Sequence, residues 1–281
     1  MENLSEYCAA GAKYLEQMIP TSDNVTLRII TFTPAVQKSY PTVVFVAGWV
    51  SLMKGWQEVL LEMTNDFKVI YIETREKISS VVKGRTEYSV EAIGKDIIYL
   101  LEYFNLKKNE YLLFGSSLGA TAVIDCCRFI KNDPRCLILV GPNAVFRVPE
   151  GWLAFVKIFY PPLYNYFKPV VKWYLKTFRL DVKSDRAQYE KYCDALDAGD
   201  PWKLKKALLA LARYEIWDLL EHIFYPSLIV GASKDKLHEP ENLKKIISKM
   251  PNARYIDMET NKNTHSKEVV NEIRKYLPNI K

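Results

Sequence analysis

A chain of 281 residues, 49% hydrophobic and 26% charged, can bury a substantial core without disulfides or a structural metal. Its net charge of +6 is carried among plentiful carboxylates and comes with no nucleic-acid reading motif, so DNA and RNA are not expected partners. Five cysteines cannot all pair, none has a zinc-binding spacing, and the three histidines are scattered, so no metal or other cofactor is expected.

The first 18 residues carry Glu2, Glu6 and Glu16 among apolar positions and lack the basic-then-apolar order of a signal peptide. No apolar run is long enough to span a bilayer. A cytoplasmic protein with free thiols is therefore expected, Cys136 being buried in a strand. Short β-branched runs then alternate with helical patterns. Strands are predicted over 25–32, 43–47, 67–74, 111–114 and 136–140, with helices over 56–65, 88–104 and 118–131 between them. The rhythm resumes with a strand over 227–232, a helix over 240–250, a strand over 254–258 and a helix over 266–277. This alternation specifies an α/β fold, a mostly parallel sheet flanked by helices on both faces.

The interruption at 148–223 shows no strand pattern and reads as an inserted all-helical cap, dividing the core into 1–147 and 224–281. It is crowded with aromatics, among them Trp152, Phe155, Phe159, Tyr166, Trp173 and Phe178. Lys157, Lys168, Lys172, Lys176 and Arg179 stand among them, and no carboxylate occurs between Trp152 and Leu180. The helical spacing puts Lys168, Lys172, Lys176 and Arg179 on one face beside Phe167, Val171, Tyr174 and Phe178. The apolar face is expected to close over a roomy, greasy pocket and the basic face to be solvated. A cationic rim that favours anionic acyl substrates is the sharper expectation, and membrane contact is expected to be weak at best.

The chemistry concentrates at Tyr111-Leu-Leu-Phe-Gly115-Ser116-Ser117-Leu118-Gly119-Ala120, which spells apolar strand, GxSxG, then helix. A serine on a tight strand-to-helix turn projects its hydroxyl above the sheet, the small residues at 115 and 119 make room for the turn, and the Leu118 N–H at the helix start can stabilise an oxyanion. The glycine spacing centres on Ser117 rather than Ser116.

From this motif onward the chain resembles the α/β-hydrolase superfamily of serine hydrolases with a helical cap, over nearly everything after Val25. The resemblance implies a triad in the order Ser, acid, His. Asp235, in the Gly231-Ala-Ser-Lys-Asp235 segment after a strand, matches the acid loop, and His265, in the last loop before the final helix, matches the base. The turn Gly141-Pro-Asn143, where some members keep the acid, has no carboxylate. His222 and His238 read as surface residues. By the same resemblance Ala47-Gly48-Trp49-Val50 is the oxyanion loop, with Trp49 as second backbone donor and Val50 as the alternative.

Three departures bear on placement. Ala47 stands where the family commonly has His, and Thr264 replaces the usual small residue before the base. The family's Asp-x-Arg-Gly-x-Gly-x-Ser appears as Glu73-Thr-Arg75-Glu-Lys-Ile-Ser-Ser80, which keeps the Arg and final Ser and leaves the subfamily unidentified. A serine at 117 argues against the branches with a carboxylate nucleophile. The expected activity is cofactor-free hydrolysis of a hydrophobic carboxylic ester through an acyl-enzyme on Ser117. Thioester hydrolysis, carbon–carbon hydrolysis, acyl transfer and ligand binding without turnover are the alternatives. The oligomeric state is left open.

Overall fold

The computed structural model describes residues 2–22, 24–36, 38–180, 182, 186–234 and 240–280. Its sheet is built from β1 (Lys13–Ser22), β2 (Val25–Thr33), β3 (Thr42–Val46), β4 (Val69–Glu73), β5 (Val81–Val82), β6 (Tyr111–Ser116), β7 (Leu137–Val140), β8 (Ser227–Gly231) and β9 (Ala253–Asp257). The strand order is β1-β2-β4-β3-β6-β7-β8-β9, with β5 pairing β2. β1, β2 and β4 pair antiparallel, and from β4 through β3 to β9 every neighbour is parallel.

The central strands are buried at almost every position, as near-continuous apolar runs with both faces covered must be. Their two-residue period splits the core cleanly. Val44, Val46, Ile70, Ile72 and Leu113 face one layer, into which α2 (Val90–Tyr103) and α3 (Leu118–Cys126) pack. Val43, Phe45, Tyr71, Leu112 and Phe114 face the other, filled by α1 (Gln57–Met63) and α9 (Lys267–Tyr276). Between β7 and β8 come, among the described residues, α4 (Glu150–Ile158), α5 (Tyr164–Tyr174), α6 (Arg186–Ala198) and α7 (Pro201–Leu211), followed after β8 by α8 (Pro240–Lys249). This is the α/β-hydrolase fold.

Two elements differ from the sequence expectation in an instructive way. β1 had no strand signature because it is an outer strand: Tyr14, Leu15 and Met18 are exposed, and Pro20 interrupts the pattern. Within the interruption expected to be helical as far as residue 223, the last helix, α7, ends at Leu211, because the chain is drawn back to the sheet. Ile216 N–H donates to the Ala144 carbonyl at 2.8 Å and Glu215 bridges Val145, leaving only a short 3-10 turn at Leu220–His222.

One buried ion pair ties the antiparallel edge to the helices. Arg75 donates to Asp96 at 2.8 Å and to the carbonyls of Glu87 and Ala92, and Thr21 of β1 donates to the same carboxylate at 2.6 Å. Both charged side chains are almost fully buried, and burial outweighs the attraction of Arg75 to push the Asp96 carboxyl above its usual range. Arg75→Met would strand that carboxylate, so a loss of about 3–5 kcal/mol is expected. Urea denaturation should read it as a lower midpoint at unchanged slope.

Candidate active site

The C-terminal ends of β3, β6, β7, β8 and β9 open on one edge of the sheet, where ligands bind in open α/β folds. At the end of β6 the chain turns straight into α3, and the turn is enforced by close packing. A Cβ on Gly119 would lie 2.1 Å from the Val46 carbonyl oxygen, and one on Gly115 would lie 2.6 Å from the Ala120 Cα. Only glycines let α3 start this close to β3. Ser117 absorbs the reversal with φ 48° and ψ −115°, a left-handed backbone that a residue with a side chain adopts only under constraint. Ser117 is partly exposed, whereas Ser116, the last residue of β6, is buried.

The turn after β3 lies directly against this serine. A Cβ on Gly48 would come within 3.3 Å of the Ser117 Cβ and 3.2 Å of the Ser116 carbonyl oxygen. Ser51 N–H closes the turn on the Gly48 carbonyl at 3.1 Å, and Val50 has φ 48°. The same carbonyl accepts from the buried Lys77 ammonium. Burial pushes the Lys77 pKa down, and Glu76 at 3.4 Å opposes that. Lys77 thus braces the turn from within the core. The Trp49 side chain packs on the α2/α3 side of the core, and its buried indole N–H has no hydrogen-bond acceptor among the described residues.

His265 sits after β9 in a 3-10 turn, Asn263–His265. Its ring lies on Trp56, with centroids 4.0 Å apart, and Trp56 is fully buried against Phe45 and Phe114. The sheet core therefore sets the imidazole plane. With the proton assigned to Nδ1, that nitrogen donates to the Asn261 carbonyl at 3.0 Å, leaving Nε2 as an acceptor. Lys191 of α6 donates to Nε2 at 3.3 Å and to the Asn261 side chain at 2.8 Å.

Asp235 lies outside the described residues, as does His238. The chain leading into 235 is described, and it is pinned to the end of β9. Ser233 and Glu259 N–H groups both donate to Asp257 Oδ1, at 2.9 and 2.8 Å, and Lys234 N–H donates to the Glu259 carbonyl. Burial works against ionisation of Asp257, but these hydrogen bonds outweigh it and hold the carboxyl below its usual range. A cleft of about 350 Å³ runs from Ser116 and Gly141 to Asn261 and His265, floored by Val230, Leu243 and Tyr255. A second, of about 280 Å³, lies between His265 and Lys191.

Three contacts were missed from the sequence. Asn143 was set aside for lacking a carboxylate, yet its Nδ2 donates to Ser117 Oγ at 3.2 Å, while Thr121 holds its carbonyl at 2.7 Å. Lys77 and Lys191 carried no signal at all, since a lysine reads as surface. Of the basic face expected to be solvated, Lys168 and Lys172 are engaged instead, both pairing with Asp197 of α6, while Lys176 is exposed. His222 is exposed, as expected.

No protein-family model and no curated protein sequence matches the chain. Solved structures of the same fold do. A malate-bound thermophilic esterase from Thermogutta terrifontis is 18% identical with a TM-score of 0.73, covering 95% of this chain and 99% of that one. The enol-lactonase from Burkholderia xenovorans LB400 is 14% identical with a TM-score of 0.74, covering 93% and 98%. A hydrolase from Pseudomonas aeruginosa PA01 is 17% identical with a TM-score of 0.72, covering 94% and 96%.

The packing at 119 makes a direct prediction. Gly119→Ala is expected to cost about 3 kcal/mol or more by overpacking. Gly151→Ala, where a Cβ meets nothing within 4 Å, should cost nothing and can stabilise α4 slightly. Thermal melts of the two variants against the parent decide it.

Proposed function

We propose that the chain is a cofactor-free serine hydrolase of carboxylic esters, with Ser117 as nucleophile, His265 as base and Asp235 as the acid that orients it. The observation that carries this reading is the left-handed backbone of Ser117 at a glycine-enforced strand–helix turn, at the same sheet edge as a histidine braced on Trp56. Packing demands the reversal but not the residue, since a glycine would adopt that backbone at no steric cost, so a serine there calls for a chemical reason. In the proposed reaction Ser117 Oγ attacks the ester carbonyl while His265 Nε2 takes its proton, and the backbone N–H groups of Leu118 and Trp49 hold the oxyanion. Asn143 orients the hydroxyl beforehand. His265 then protonates the leaving alcohol, and water repeats the sequence to release the acid. The helices α4–α7 are read as a cap over this edge.

Lys191 refines the substrate class. Its ammonium occupies the Nε2 lone pair that must accept the serine proton, so it has to yield during turnover. A carboxylate on the substrate is a stronger acceptor for an ammonium than a neutral imidazole, and drawing Lys191 to it frees Nε2. The reading is therefore an ester with an apolar acyl part and a carboxylate.

Ser117→Ala and His265→Ala are each expected to lower hydrolysis of a p-nitrophenyl ester series by about 10⁴-fold or more. Asp235→Asn should be nearly as severe and Ser116→Ala mild. Mass spectrometry after fluorophosphonate treatment should find one adduct, on Ser117. A dead Ser116→Ala variant beside an active Ser117→Ala one would remove the assignment.

Lys191→Met should lower kcat/KM for monoanionic esters by about ten-fold, the worth of one charge-assisted hydrogen bond, while neutral esters stay level or improve. Equal losses on both substrate kinds would mean that Lys191 orients His265 and reads no carboxylate.

A further inference from the structure

Helix α5 is docked the wrong way round for an ordinary globular protein. Its polar side faces the molecule: Tyr164 donates to the Leu196 carbonyl at 3.0 Å, Lys168 to the Asp197 carbonyl at 3.1 Å, and Lys172 to the Asp197 carboxylate at 2.6 Å. These residues follow one another at four-residue steps, along one face. The opposite face, at i, i+4 and i+7, is Tyr166, Val170 and Trp173, which are 80%, 51% and 57% exposed. Helix α4 also turns apolar side chains outward, Trp152 and Ile158, while Leu153 and Val156 are half-buried, and neither helix has a single buried residue. Lys205 of α7 grips the α4 end through the carbonyls of Lys157 and Phe159, both at 2.8 Å. The outward rings pack on one another, as in Trp173–Phe178 and Trp152–Tyr174. An open apolar groove of about 480 Å³ runs between Trp152, Phe155, Phe167 and Val170.

We propose that this α4–α5 face is a docking surface for a phospholipid bilayer bearing anionic headgroups, on which the protein lies without inserting a span. No helix among the described residues is long and apolar enough to cross a membrane. The chemistry fits an interface. Trp and Tyr favour the level between hydrocarbon and headgroups, and lysine stems lie along apolar surface while their ammonium groups reach phosphate. From Gly151 to Leu180 there is no Asp or Glu, while Lys157 and Lys176 are exposed beside the rings. That charge pattern also argues against a second copy of the chain, because each face sets one exposed carboxylate, Glu150 at the start of α4, against the exposed Lys157 and Lys176, and two such faces would repel. An anionic membrane supplies the missing countercharge. The sequence alone suggested one short helix with its apolar side needed for the pocket; the fold turns the apolar sides of two helices outward.

The proposal is separable from the hydrolase reading, since adsorption needs no turnover, and the full chain carrying Ser117→Ala is the protein to use. It should float with vesicles of phosphatidylcholine containing about 30% phosphatidylglycerol, and less with phosphatidylcholine alone. Binding should weaken as salt rises from about 0.05 M to about 0.5 M. The triple variant Tyr166→Ser, Val170→Ser, Trp173→Ser, with an unchanged thermal melt, should partition about ten-fold or more weaker. Lys157→Gln with Lys176→Gln should erase the preference for anionic vesicles. No flotation at low salt, or full flotation of the triple variant, overturns the proposal. So does a dimer in sedimentation equilibrium that the triple serine variant dissociates, which would give the face to a second copy.

Discussion

The candidate site rests on one close approach, that of the α3 backbone to the end of β3. With the Gly119 Cα against the Val46 carbonyl, the chain has no room for a gradual turn between β6 and α3, and the whole reversal falls on Ser117. The same contact brings Gly48 against the serine, so the turn that carries the proposed oxyanion donors and the residue that would attack share one wall. Strain at one residue is tolerable because it is surrounded by fully buried strands whose packing cannot relax.

Around that wall, buried cations do the anchoring. Lys77 holds Gly48 from beneath, and Lys203 of α7 donates to the carbonyls of Lys77 and Ser80, at 2.6 and 2.5 Å. Burial pushes both ammonium groups below the usual lysine range, which is the cost of using them inside. What each returns is satisfaction of loop carbonyls that no strand or helix covers. The segment from Glu73 to Ser80 is thus a relay of lysine-to-carbonyl contacts joining α7 to the turn at Gly48. Arg75 ties the other end of that segment to Asp96.

How much of this the sequence disclosed follows from which forces write themselves into local pattern. The parallel core was legible because strands buried on both faces must be runs such as Thr42–Val46 and Leu137–Val140. Ser117 and His265 were legible because the strand–turn–helix context and the last loop are positions as much as residue types. β1 was not, since an outer strand with three exposed apolar residues and a proline has no alternation to read. Lys77, Asn143 and Lys191 were not, because their meaning lies in contacts across 29, 26 and 74 residues of chain. For α5 the sequence separated a lysine face from Phe167, Val171, Tyr174 and Phe178, but it is Lys168 and Lys172 that dock, while Phe167, Tyr174 and Phe178 are exposed. Periodicity tells that a helix has two faces; only the partner, here Asp197, tells which one is docked.

That inversion connects the two ends of the molecule's surface chemistry. α6 is the pivot: its Asp197 takes the lysines of α5 on one side, and its Lys191 reaches His265 on the other. Lys54 adds a surface pair to Asp194 of the same helix, a contact worth little by itself at its exposure. A load on the outer face of α5 therefore bears on α6 through charged contacts at Asp197, which are directional, rather than through an apolar seam, which would slide. If α6 shifts, the longer Lys191 contact, to Nε2 at 3.3 Å, is weaker than the 2.8 Å bond to Asn261 and gives way first. Were the aromatic face to adsorb as proposed, the polar docking of α5 on Asp197 is the contact through which that load would reach α6 and its lysine at the imidazole.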